Sequence, residues 1–233
     1  MTVRDDERLI VALDVPTNEA ALVLVETLGD AARFYKVGLE LFVADDHRTV
    51  VEKLRAMDKR VFADLKLYDV PNTVTHATKE AAGLGVDFLT VHGDRQIMEA
   101  AVAGKGDTKV LAVTVLTSFD ESDLADVGYG GPVADLVLSR ARLAADTGCD
   151  GVIASPREAR RIRDELGGAL LIVTPGIRSA GNSPVDDQRR VATAAEAIAA
   201  GADHVVVGRP IREAPDPRAA AGALQEEIAA ALR

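Results

Sequence analysis

The segment Asp64-Leu65-Lys66-Leu67-Tyr68-Asp69 carries two carboxylates and an ammonium within six residues, directly after the apolar run Val61-Phe62-Ala63. That run reads as a buried strand. Side chains alternate along a strand, so Asp64 and Lys66 share one face while Ala63, Leu65 and Leu67 share the other. Opposite charges on the inner face of a core strand are costly unless they are paired or used. The motif is therefore a candidate for chemistry that needs a fixed ammonium beside a carboxylate. A structural ion pair is the alternative for a D-x-K taken alone. Asp69 adds a second carboxylate where the strand gives way to a loop.

Positioning such groups requires a scaffold, and the chain repeats one: a short apolar run, then an amphipathic segment. The runs cover 9–15, 34–39, 61–67, 88–92, 110–116, 151–154, 170–174 and 204–207. Helical patterns lie near 18–28, 43–57, 71–84, 95–103, 133–147, 157–166, 193–200 and 217–232. Gly85-Val86-Asp87, Gly148-Cys149-Asp150 and Gly201-Ala202-Asp203 each precede a strand, with Gly ending a helix and Asp opening the turn. Eight such units without a linker predict a single (β/α)8 TIM barrel over residues 1–233, with reactive groups at the C-terminal ends of the strands. A doubly wound sheet is the competing fold, but no G-x-G-x-x-G follows the first strand. The expected strand ends carry polar residues in apolar surroundings: Asp14, Lys36, Asp64 and Lys66, His92, Thr117-Ser118, Thr174 through Arg178, and Gly208-Arg209. Recurrence at one end of seven strands predicts a concave polar site rather than scattered caps.

The charge balance bounds the partners. With 27 basic against 37 acidic residues the net charge is −10, and Trp is absent, which argues against nucleic acid. No apolar run is long enough to span a bilayer and the N-terminal segment lacks a signal-peptide core, so a cytoplasmic protein is expected. The single Cys149 precedes an apolar strand and reads as a buried, inert thiol. An anionic ligand must be held by local cations against this acidic field. The segment from Gly176 to Arg190, rich in Gly, Ser and Asp, reads as a lid containing Arg178 and Gln188, with Gly208-Arg209 opposite. Backbone N–H groups near Gly208 together with forked guanidinium groups suit a phosphate dianion.

Taken together, Ala12-Leu13-Asp14, Tyr35-Lys36-Val37-Gly38, Asp64 through Thr73, Val91-His92-Gly93, Thr114 through Ser118, Thr174 through Arg178, Asp187-Gln188-Arg189-Arg190 and Val207-Gly208-Arg209-Pro210 resemble the bacterial orotidine 5′-monophosphate decarboxylase family, in the family's order and over essentially the whole chain. Asp64-x-Lys66-x-x-Asp69 alone is shared with metal-dependent sugar-phosphate decarboxylases and aldolases such as 3-keto-gulonate-6-phosphate decarboxylase and hexulose-phosphate synthase. Those relatives place a Glu metal ligand on the second strand, where this chain has Lys36.

The resemblance implies cofactor-free, metal-free decarboxylation of orotidine 5′-monophosphate to uridine 5′-monophosphate and CO2, the last step of de novo UMP biosynthesis. It implies that Asp14 and Lys36 hold the ribose hydroxyls, with Lys36 also pairing with Asp64. Asp64 would lie beside the substrate carboxylate, and Lys66 would protonate C6. Asp69 and Thr73 would enter the site of a neighbouring subunit, giving a homodimer with shared sites in which Lys36, Asp64, Lys66 and Asp69 form a catalytic charge network. Thr117 would meet the pyrimidine edge, Gln188 would close over base and phosphate, and Arg178 with Gly208 and Arg209 would bind the phosphate. His92 would support the site from behind.

Overall fold

The eight apolar runs form eight strands: β1 (Leu9–Ala12), β2 (Phe34–Gly38), β3 (Arg60–Leu67), β4 (Phe88–His92), β5 (Lys109–Val113), β6 (Gly151–Ile153), β7 (Leu171–Thr174) and β8 (His204–Val207). All pair in parallel and in chain order, and β8 pairs back onto β1, closing a (β/α)8 TIM barrel. The computed structural model describes residues 3–44, 46–178 and 192–233. Among them the helices are α1 (Asn18–Leu28), α2 (Leu39–Ala44), α3 (His47–Ala56), α4 (Pro71–Gly83), α5 (Arg95–Gly104), α6 (Glu121–Asp126), α7 (Val133–Thr147), α8 (Pro156–Leu166), α9 (Ala194–Ala199), α10 (Arg209–Arg212) and α11 (Pro217–Ala231). No helix among the described residues is long and apolar enough to cross a membrane.

The boundaries differ from expectation in places with identifiable causes. The helix expected over 43–57 is two helices, because Asp46 starts a new one: its side chain accepts the Arg48 N–H at 3.1 Å and the Thr49 hydroxyl at 2.7 Å. Helix α6, not expected, is nucleated by a capping box between Asp120 and Asp123. Strands β1 and β5 end earlier than their apolar runs, so Asp14 and Thr117 sit in the loops just beyond them.

Two apolar cores follow from strand alternation. Outward-facing residues such as Val11, Tyr35, Leu89 and Val152 pack under the helices. Inward-facing Ile10, Phe34, Phe62, Phe88, Leu111, Leu171 and Val206 fill the lower barrel. The same inward face, one or two steps further along β2, β3 and β4, presents Lys36, Asp64 and Thr90. Polar groups at the upper rim are thus supported on an aromatic plug.

The repeated Gly-x-Asp element does more than open a turn. Gly85, Gly148 and Gly201 end their helices at positive φ. Each following Asp then clasps one residue of the preceding strand through both backbone groups. Asp87 donates its N–H to the Val61 carbonyl at 2.7 Å and accepts the Val61 N–H on its carboxylate at 2.8 Å. Asp150 does the same with Val110, at 2.9 Å in both directions, and Asp203 with Ile172, at 2.8 Å in both. Arg60, Lys105 and Arg163 respectively neutralise the three carboxylates at 3.1, 2.7 and 2.6 Å.

Below the plug, His204 is buried edge-on to Phe34 and Phe88, and its Nδ1–H donates to the Glu7 carbonyl at 2.9 Å. Burial pushes its pKa down from 6.5 to about 4. The unfolded chain therefore gains a proton at His204 as pH falls through 6.5, whereas the folded chain does not until about 4. Stability contributed by neutral His204 is full above the unfolded value and declines across that window, by roughly 3 kcal/mol if the whole shift is expressed. A His204→Asn variant is expected to show a shallower fall in melting temperature between pH 6.5 and about 4 than the parent. Parallel curves would exclude His204 as the cause.

Candidate active site

At the C-terminal ends of the strands lies a cavity of about 860 Å3, within the range for small-molecule sites. Of the residues expected at the site, Asp14, Lys36, Asp64, Lys66, Thr117, Arg178, Gly208 and Arg209 line it. Asp69 and Thr73 do not: both are exposed at the β3–α4 junction, where the Asp69 carboxylate accepts the Val70 N–H at 2.6 Å. Gln188 lies outside the described residues. His92 is half-buried with its ring against Tyr68, centroids 4.8 Å apart, and is not among the cavity-lining residues. Burial lowers its pKa.

Charges of alternating sign run along the inner wall. The Lys36 ammonium donates to Asp14 Oδ1 at 2.9 Å and lies 3.5 Å from Asp64 Oδ2. The Lys66 ammonium donates to Asp64 Oδ1 at 2.9 Å, and the Thr90 hydroxyl reaches the same oxygen at 2.9 Å. Burial opposes both inner charges, but it does not win. Asp64 and Asp14 outweigh it and raise the Lys36 pKa, while Lys36 and Lys66 outweigh it and hold the Asp64 carboxyl below its usual range. The wall thus presents fixed charges whose orientation is set before any ligand arrives.

Local backbone makes this approach feasible. A Cβ on Gly38 would stand 2.8 Å from Lys36 Nζ and 3.0 Å from Asp14 Oδ1, so only glycine leaves the ammonium its place. Beyond the wall, Arg178, just after β7, and Gly208 and Arg209, just after β8, line the same cavity, in the quarter of a barrel rim suited to a phosphate.

The cavity also holds residues not anticipated from sequence. Arg212, one turn along α10 from Arg209, lines it and donates to the Asp14 carbonyl, tying the end of β8 to the end of β1. Glu40 borders it from the first turn of α2. Thr90 was legible in principle: it shares the inward face of β4 with Phe88, where a polar residue needs a partner. Among the described residues, no three His, Cys, Asp or Glu side chains are grouped to hold a metal ion. Cys149 is buried and its thiol is pushed up to about 11 by that burial, so it is a packing residue.

Comparison with known proteins agrees with this fold. Residues 7–224 match the model of the orotidine 5′-phosphate decarboxylase / HUMPS family. The orotidine 5′-phosphate decarboxylase of Methylococcus capsulatus is 54% identical over 222 residues, covering 95% of this chain and 92% of the relative. That of Rhodopseudomonas palustris (strain BisB5) is 53% identical over 229 residues, covering 97% of each. The crystal structure of orotidine 5′-phosphate decarboxylase from Lactobacillus acidophilus superposes with a TM-score of 0.84 at 38% identity, covering 95% of this chain and 99% of that one. A barrel closed in chain order, a rim carrying Asp14, Lys36, Asp64 and Lys66, and similarity over nearly the whole length lead to one assignment: the chain belongs to the orotidine 5′-phosphate decarboxylase / HUMPS family.

Proposed function

We propose that the protein decarboxylates orotidine 5′-monophosphate to uridine 5′-monophosphate and CO2, a lyase reaction of pyrimidine biosynthesis carried out without a cofactor. The observation that carries this reading is the unbroken charge sequence Asp14–Lys36–Asp64–Lys66 along one wall of the cavity. In the reaction, the bond from C6 to the carboxylate carbon breaks, CO2 leaves, and the electron pair remains on C6 in the plane of the ring. No carbonyl can delocalise that pair, so stabilisation must be electrostatic. The Lys66 ammonium lies beside the developing charge and transfers a proton from Nζ to C6, after which water reprotonates the amine. Asp64 holds Lys66 in place and, as a fixed anion beside the substrate carboxylate, favours its departure.

Asp14 and Lys36 bind the ribose hydroxyls, Thr117 the edge of the base, and Arg178, Gly208 and Arg209 the phosphate, with Gln188 closing from the lid. Phosphate binding remote from C6 supplies energy for closure and water exclusion. What supports this reading is that Arg178, after β7, and Gly208-Arg209, after β8, line the same cavity as Asp64 and Lys66 on β3.

The functional unit in this reading is a homodimer in the cytoplasm. Asp69 and Thr73 are exposed and do not line their own cavity, and Asp69 is flanked by Tyr68 and Val70, 65% and 63% exposed. Apolar side chains so exposed beside two polar ones suit a surface covered by a second copy, whose cavity would receive Asp69 and Thr73.

The test is the ultraviolet loss of orotidine 5′-monophosphate with the purified protein, with and without a chelator. Chelator-resistant turnover is expected. No turnover by folded protein, together with magnesium-dependent reaction of a sugar phosphate, would move the chain to the metal-dependent branch of its family.

A further inference from the structure

We propose that Thr90 is a positioning residue that holds the proton-donating lysine in its working geometry; this rests on the role given to Lys66 above. Strand β3 is irregular where it matters. Phe62 pairs with Phe88 and Ala63 with Leu89, but the next pair is Leu67 with Val91. Three residues of β3, Asp64, Leu65 and Lys66, are thus opposed on β4 by Thr90 alone. To make room for them Lys66 adopts φ +49, one of two non-glycine residues with positive φ among those described. A side-chain-bearing residue does not hold that conformation without external support.

Thr90 gives that support through one atom. Its hydroxyl oxygen accepts the Lys66 N–H at 3.0 Å, and its hydroxyl proton goes to Asp64 Oδ1 at 2.9 Å. The directions are unambiguous, because an amide nitrogen only donates and an ionised carboxylate only accepts. Thr90 is fully buried, so no water substitutes for it. The hydroxyl therefore replaces the ladder acceptor that the bulge removes and fixes the backbone of Lys66. It also fixes the carboxylate oxygen to which the Lys66 ammonium is bound 2.9 Å away. Both ends of the lysine are referenced to one hydroxyl on the neighbouring strand.

Thr90→Val keeps the shape and removes the hydroxyl, and Thr90→Ser keeps the hydroxyl. Thr90→Val is expected to lower kcat about 10- to 100-fold with KM and uridine 5′-monophosphate affinity within about threefold of the parent, and Thr90→Ser to restore kcat to within about threefold. The Lys66 amide, protected from hydrogen exchange in the parent and in Thr90→Ser, should exchange at least about tenfold faster in Thr90→Val. If the valine variant does not fold, Thr90→Ala is read in the same way. Unchanged kcat without the hydroxyl, parallel losses in kcat and KM, or failure of serine to rescue would overturn the proposal. A parent protein without decarboxylase activity would instead refute the proposed function, and Lys66 amide exchange would still decide whether Thr90 holds the bulge.

Discussion

Replacing Lys66 by alanine is expected to lower kcat by at least about a thousandfold while uridine 5′-monophosphate still binds within about tenfold of the parent affinity. Two losses combine. An ammonium about 4 Å from a developing unit charge is worth roughly 4 kcal/mol at an effective dielectric near 20, and each 1.36 kcal/mol is a factor of about ten in rate. A positioned proton donor contributes a further factor of about 10² to 10⁴. Even so, one ammonium provides only a share of the roughly 8–23 kcal/mol by which enzymes commonly lower barriers, and the proposed phosphate contacts are the source assigned to the rest. Steady-state kinetics and calorimetric titration of the product separate the two quantities. Equal, mild losses in both would remove Lys66 from the role of proton donor.

Replacing Arg209 by alanine is expected to act on the other quantity, raising KM about 10- to 100-fold with a smaller change in kcat. Hydrogen bonds from a guanidinium to a phosphate are charge-assisted, and such bonds contribute about 1.5–3 kcal/mol each. Arg209 lines the cavity from the end of β8 whereas Asp64 and Lys66 lie on β3, so in the proposed binding mode it meets the phosphate without touching the reacting carbon. Initial-rate measurements over a range of substrate concentration decide the matter, and an unchanged KM would rule it out as a phosphate ligand.

The barrel was legible because its strands are buried on both faces and so read as apolar runs, while the helices between them carry a different period. The cavity-lining lysines and aspartates were legible for the opposite reason: Lys36 and Asp64 interrupt such runs, and a charge in a core strand needs an explanation. What alternation could not convey is the bulge. From the sequence, Asp64 and Lys66 share a face as residues of a regular strand. In the structure they meet across an irregularity set by Thr90, twenty-four residues further on. A conformation imposed by a distant side chain leaves no local pattern. The split between α2 and α3 was missed although its signal is local, the capping residue Asp46, because the apolar pattern on either side continues through it. Arg212 has its effect through the carbonyl of Asp14, a partner 198 residues away in sequence. Asp69 and Thr73 do not line the chain's own cavity, and the role proposed for them needs a second copy.

The aspartate clasps at the barrel floor are spaced in twos. They join β3 to β4, β5 to β6 and β7 to β8, whereas β2 is preceded by Arg33 in place of an aspartate. Each clasp closes within a module of two strands, and the seams β2–β3, β4–β5 and β6–β7 fall between clasps. A barrel so divided can be duplicated, permuted or recombined by quarters without cutting any of the three. The opposite rim, where Asp14, Lys36, Asp64 and Lys66 line the cavity, is left to diversify independently of the joints that hold the modules together.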